Sequence, residues 1–307
     1  MRILITILSL IVMGCGSTPY QDDYTKHVNL LDNNYLTSEN YKFSFVDDDL
    51  SVDLRGLYSQ NDTATSIPIM YYGDAGIVGA LVQLTTHSVI INSQRDAKLA
   101  SQQIEADKFI QPLINLSRDI SLNDLVGEHR THFVAFNQQA TDTVVIKPIF
   151  FSLTDMSELS IKAIVWMPMP KDQQQKRKEF KYRNMIQVYS PKLTESQYQQ
   201  ILEGDKNILP EILTSLLKKT LDITEAALTG QYDNNNKKTQ TFLINTESNN
   251  QVLRGFIAAE KCDYQVIQDI HHWLVAYPIA RLENQADLQC EKNNNNNEMG
   301  RPLTTIE

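Results

Sequence analysis

Between Leu209 and Leu228 the chain repeats one pattern that fixes most of what it can become. Leu209, Ile212, Leu213, Leu216, Leu217, Leu221 and Leu228 recur at helical spacing, while Glu211, Lys218, Lys219, Asp222 and Glu225 face away from them. Apolar residues three and four apart are the mark of an amphipathic helix, and such a helix has to bury its stripe on something. Its neighbours in the sequence say on what. Before it come Thr143 to Phe151, Leu159 to Met167 and Asn184 to Tyr189; after it come Thr239 to Asn245, Gln251 to Ala259 and Trp273 to Ile279. These six runs alternate or are rich in β-branched and aromatic residues, and turn chemistry separates them, so they read as strands. Strands, one long helix, then strands again, without regular βαβ alternation, predict an α+β fold: a mostly antiparallel sheet with helices packed on one face.

Local signals refine this expectation. The first three runs form an antiparallel meander, and Ser248-Asn249-Asn250 is a hairpin turn. Pro148 cannot donate to a ladder and points to an edge or a bulge. Trp166 lies where the far end of the Leu159 to Met167 run is apolar on both faces and is expected under a helix. Thr194-Glu195-Ser196-Gln197 carries a helix-capping pattern, and Asn234-Asn235-Asn236 is expected to end the long helix. Lys42 to Val46 and Leu50 to Leu54 read as a hairpin around Asp47-Asp48-Asp49, and His132 to Phe136 as a further strand. The acidic trio lacks the interleaved ligands and downstream Glu of a calcium loop, so turn chemistry accounts for it.

The first fifteen residues speak to location. Arg2 precedes an apolar run from Ile3 to Met13, interrupted only by Thr6 and Ser9, and then come Gly14 and Cys15. The run is too short to span a bilayer, which takes about 20 apolar residues. A charged start, a short apolar stretch and a small residue before a break are the parts of a signal peptide. Val12-Met13-Gly14-Cys15 resembles the lipobox of bacterial lipoproteins. That resemblance implies cleavage before Cys15 and a lipid anchor on it. Where enteric-type lipoproteins carry an inner-membrane retention Asp, this chain has Gly16, which implies passage to the outer membrane with the mature domain in the periplasm. The expected organisation is a signal peptide over 1–14, a lipidated tether over 15–40, one α+β domain over 41–290 and an Asn-rich flexible tail over 291–307.

Charge and cysteines narrow the partners. With 28 basic against 37 acidic side chains, a net charge of −9 argues against nucleic acid as a partner. Lys171 to Arg183 reverses the sign locally, and reads either as a solvated hairpin loop or as a contact for lipid phosphates or an acidic partner. Besides Cys15 the chain has Cys262 and Cys290; in an oxidising compartment the two read as one disulfide. Gly73, Gly76 and Gly79 form a small-residue stripe ahead of Ala80-Leu81-Val82-Gln83-Leu84, within a stretch through residue 116 that reads as one or two helices. Such a stripe permits close packing, either inside the domain or on a partner. It is not a phosphate-binding loop, because the Lys-Ser/Thr that completes one is missing.

Catalytic signals are sparse. Glu128-His129-Arg130-Thr131-His132 sets two imidazoles three apart, a spacing that suits a metal on a helix but not at a strand, and no third ligand stands nearby. His271-His272 would diverge in a strand. Carboxylate pairs (Asp22-Asp23, Asp119 with Asp124) lie in loops, and the sequence has neither a Gly-x-Ser-x-Gly elbow nor a His-Glu-x-x-His pair. No catalytic or metal residue and no cofactor is therefore assigned. The reading that follows is a non-catalytic accessory or assembly factor that binds another envelope protein. A periplasmic hydrolase of a cell-wall or other polymer, and a small-ligand or lipid-binding module, stay open as alternatives.

Overall fold

A computed structural model describes residues 41–46, 49–58, 97–98, 100–138, 142–169, 180–232, 238–244, 251–261, 263–270 and 272–281. Cys15, the glycines at 73, 76 and 79, Cys262, Cys290 and His271 lie outside them.

The fold is α+β, a large, mostly antiparallel sheet of nine strands with helices on one face. In chain order the elements are β1 (Lys42–Phe45), β2 (Leu54–Gly56), α1 (residues 100–109), α2 (Gln111–Ser117), α3 (Leu122–Leu125), β3 (Thr143–Ser152), β4 (Leu159–Pro168), β5 (Phe180–Tyr189), α4 (Glu195–Leu202), α5 (Ile208–Leu228), β6 (Gln240–Ile244), β7 (Gln251–Glu260), β8 (Tyr264–Asp269) and β9 (Leu274–Pro278). The sheet runs β1-β3-β4-β5-β9-β8-β7-β6, with β2 also on β3. It is two antiparallel meanders, β3-β4-β5 and β6-β7-β8-β9, joined by a short parallel contact of Ile186, Gln187 and Val188 with Leu274, Val275 and Ala276. The last of the described strands thus lies in the middle of the sheet.

β1 and β2 depart from the hairpin expected of them. They do not pair with each other; both run parallel to β3, β1 along Thr143 to Ile146 and β2 along Phe150 to Ser152. Pro148 falls in the gap between them. Its missing N–H is therefore on a stretch of β3 whose outer side has no partner in either short strand, which is how a proline is tolerated inside a ladder flanked by β4. The strand expected over His132 to Phe136 is instead a single bridge of Phe133 with Phe43, set between two 3-10 turns, Gly127–His132 and Phe136–Gln138.

Helix α5 follows from its sequence. Pro210 sits in the first turn, where a proline costs no hydrogen bond. Leu209, Leu213, Leu216, Leu217, Leu221 and Leu228 are buried against the core, each contributing about 1.5–3 kcal/mol of apolar burial. Thr220 and Thr224 are fully buried yet satisfied, because their hydroxyls donate to the carbonyls of Leu216 and Thr220 at 2.8 and 2.7 Å. The helix ends before the asparagines expected to stop it. Gly230 takes a left-handed φ of 72°, and the N–H groups of Gly230 and Gln231 donate to Ala227 and Ala226, a Schellman closure that a Cβ would strain.

The apolar stripe of α5 covers the strand residues of one face: Ile146 and Phe150 of β3, Leu159, Ile161, Ala163 and Val165 of β4, Ile186 and Val188 of β5. α2, α3 and the start of the 3-10 turn close the same layer through Leu113, Leu122, Leu125 and Val126. Trp166 does not lie beneath it. Strict alternation along β4 gives Val165 and Met167 to the helix face and turns Trp166, half-buried, to the other.

Candidate functional site

The His pair of the sequence resolves into two unlike residues. Gly127, at φ 53°, turns the chain from α3 into the 3-10 helix that carries both. His132 is exposed. His129 is buried, its ring edge-on to Phe43 and its Nε2 3.1 Å from Oδ1 of Asp222 on α5. Beside it Glu128 pairs with Lys218 one turn earlier on the same helix. The hydrogen bond from Lys218, and then its charge, hold the Glu128 carboxyl below the usual carboxylate range, and the same contact raises the Lys218 ammonium. The polar side of α5, expected to face solvent, is in this way partly covered: Lys218 and Asp222 fasten the 3-10 turn, and Lys219 reaches Asp263 while its ammonium lies 4.8 Å over the Tyr264 ring.

Tyrosines complete this cluster. Burial is the largest cause that pushes the Tyr41 hydroxyl up, followed by its hydrogen bond to Glu225. Burial also raises Tyr232 and Tyr264, with the charge of Asp222 adding to both. Tyr182 is pushed up to about 12 by burial; neighbouring Asn184 opposes part of the rise, but no hydrogen bond of ordinary geometry reaches the hydroxyl. A His–Asp pair serves acid–base chemistry when the imidazole can also touch a substrate. Here the His129 side chain is 11% exposed, packed on Phe43, and does not line the cleft described next. The arrangement is a clasp between the 3-10 turn and α5. Among the described residues no three His, Cys, Asp or Glu side chains converge as metal ligands.

A cleft of about 200 Å³ opens between the start of α4 and α5, lined by Ser190, Lys192, Gln197, Glu211, Ser215 and Lys219 among others. Three of its polar groups are already engaged. Ser190 Oγ accepts from the Leu159 N–H and donates to the Pro191 carbonyl, Gln197 completes the capping box of α4 with Thr194, and Lys219 is held by Asp263.

The two edges of the sheet differ in a way that bears on partners. At the β2 edge the Gly56 N–H donates to Asp107 Oδ1 at 2.7 Å, and Gln103 Nε2 donates to the Gly56 carbonyl at 2.9 Å, so side chains of α1 occupy the free backbone groups. α1 comes so close that a Cβ at Gly56 would meet the backbone of Ala106. The β1 edge is met by the Val134 N–H, which donates to Phe43 at 2.8 Å. At the far edge, β6 is a run of five residues, Gln-Thr-Phe-Leu-Ile, without charge or proline, and among the described residues nothing pairs with its outer side. Leu243 pairs with Val252 of β7; they are 36% and 66% exposed, and Ile270, whose N–H donates to the Arg254 carbonyl, is 57% exposed. Natural sheets protect such an edge with charge, proline or a cover. Sequence patterning reads β6 as a strand but carries no mark of its edge position. Nor does the sequence signal Asp222 as the partner of His129, since the two meet only through tertiary packing.

Among the described residues no helix is long and apolar enough to cross a membrane. Comparison with known proteins finds no family model, no curated protein and no solved structure that matches this chain.

Proposed function

We propose that this chain is a lipid-anchored protein of the bacterial envelope whose task is to bind another envelope protein, taken up as an added strand along β6. The observation that carries the reading is the contrast between the edges: α1 caps one with Asp107 and Gln103, while the other offers five uncharged residues and the exposed pair Leu243 and Val252. An extended peptide added there gains main-chain hydrogen bonds along β6 and packs an apolar side chain over Leu243 and Val252. The partner chemistry is thus a strand-forming segment with alternating apolar residues. Arg2, the apolar run from Ile3 to Met13 and Cys15 support the anchor, outer-membrane sorting and a periplasmic location.

The test is co-purification from detergent-solubilised envelopes with a C-terminal tag. Thr241→Lys combined with Leu243→Lys charges the open edge at two exposed positions. The expected result is unchanged melting together with loss of a stoichiometric partner. A partner retained by this variant, or absent from wild type, overturns the reading. Cys15→Ser is expected to accumulate as uncut precursor or to release soluble protein, and to lose label from a fatty-acid analogue; a variant that labels and fractionates like wild type removes the anchor.

A further inference from the structure

The open edge of the sheet carries a charge as well as apolar side chains. Across β6 and β7, Thr241 pairs with Arg254 and Leu243 with Val252. Side chains alternate along a strand, so these four share one face, opposite Phe242, Ile244 and Leu253, which pack with Ile267 and Val275. Ile270 follows Asp269, the partner of Gly255, and so falls beside Arg254. All five are exposed. Among the described residues Arg254 has no ion pair and no side-chain hydrogen bond, and the same holds for Lys238, exposed just ahead of β6. Neither Gln240–Ile244 nor Gln251–Gly255 contains a carboxylate. On a chain of net charge −9, this edge is thus a locally positive, apolar surface whose guanidinium is unspent.

Resting on the reading of β6 as an acceptor edge, we propose that the strand it takes up is acidic: Arg254 selects a glutamate placed two residues from the apolar side chain that seats over Leu243 and Val252. A strand added outside β6 stands two strand spacings from β7, about 10 Å. Its residue opposite Thr241 lies in line with Arg254, with only the threonine between them. An arginine and a glutamate side chain together cover that distance, and guanidinium and carboxylate then meet in two parallel hydrogen bonds. The residue two positions along points to the same face and lies opposite Leu243, so acid and apolar anchor follow from one register. A second copy of this chain does not supply that strand through β6, because Gln-Thr-Phe-Leu-Ile has no acid to offer. Nor does the surface suit an anionic membrane, since two cations hold it weakly and the acidity of the whole chain opposes it.

The test uses two fluorescein-labelled peptides with blocked ends, Thr-Val-Thr-Glu-Thr-Val-Thr and Thr-Val-Thr-Lys-Thr-Val-Thr, titrated by anisotropy with protein purified from envelopes in non-ionic detergent. Valine on both sides of the charge serves either strand direction. Wild type is expected to bind the glutamate peptide about tenfold more tightly than the lysine peptide, an attraction exchanged for a repulsion at a partly exposed pair. Arg254→Glu is expected to melt like wild type and to invert the preference, and added salt should narrow the gap in both. Equal affinities in wild type, or a preference that Arg254→Glu leaves unchanged, overturn the acidic specificity while strand addition stands. Failure of both peptides to bind removes strand addition itself and the specificity with it. Displacement of the glutamate peptide by phosphatidylglycerol vesicles, or its exclusion from a dimer seen on sedimentation, assigns the edge to lipid or to a second copy and equally overturns the proposal.

Discussion

Tyr182 is the side chain whose chemistry fits its place least well. It is 5% exposed, its hydroxyl has no hydrogen-bond partner of ordinary geometry, and burial pushes its pKa up to about 12. A phenol whose pKa is higher in the folded state than in the unfolded chain favours folding below its ordinary value near 10. That contribution is lost as pH rises from there to about 12, and a shift of about two units corresponds to about 3 kcal/mol. Tyr41, Tyr232 and Tyr264 are raised for the same main reason, so they add to the loss at alkaline pH. Tyr182→Phe is expected to leave stability at pH 7 unchanged or to raise it by about 1 kcal/mol, because a buried unpaired hydroxyl is removed. The same variant should lose about 3 kcal/mol less than wild type between pH 10 and 12. Urea unfolding at both pH values checks this; a clear destabilisation at pH 7 would mean that the hydroxyl has a partner. Glu128 runs the opposite way, supporting the fold above the free carboxylate range and ceasing to do so as pH falls through its lowered value. At this scale the sequence was half legible. Glu128-His129 stood out by composition and spacing, whereas Lys218 and Asp222 read as solvent-facing because contacts between distant segments leave no local pattern.

Elements were easier to read than their partners. The stripe from Leu209 to Leu228 and the strands from Thr143, Leu159, Gln240, Gln251 and Leu274 lie close to where periodicity puts them, because one-sided burial imposes the period directly. β5 begins at Phe180, earlier than its apolar run suggests: Tyr182 points into the core while Lys181 and Arg183 look like loop, and the Arg183 guanidinium lies 5.1 Å over Phe180. The supposed hairpin of β1 and β2 shows the limit. Alternation identifies a strand, but the choice of β3 as a shared parallel neighbour depends on a third segment far along the chain. Two substitutions rank the forces that hold these elements. Leu217→Ala, at a fully buried position of α5, should cost about 2–5 kcal/mol in denaturant titrations. Thr194→Ala removes one half of the capping box of α4 and should cost about 1 kcal/mol. Equal effects from the two would contradict a fold whose stability resides in the helix–sheet core.

For the molecule as a whole, the order of strands and helices was enough to give α+β with a mostly antiparallel sheet, but not the order of strands across it. Adjacency of β5 with β9 arises from packing two meanders under one helix layer, which no local signal encodes. The expected Cys262–Cys290 disulfide belongs to this scale, because it would tie the turn between β7 and β8 to the chain beyond β9. It would close a loop of about 28 residues, worth about 3–4 kcal/mol in the chain-entropy model. Non-reducing peptide mapping of protein purified from envelopes should find the bridged peptide, and two free thiols would refute it. The position of β9 has a further consequence, for the order of events during biogenesis. A chain still emerging from a ribosome holds β5 and β8 as two unfinished borders, and the piece that joins them is delivered after both. Cooperative closure must wait for Leu274 to Pro278, so the two meanders stay separate pieces of sheet until that segment is free to lie between them.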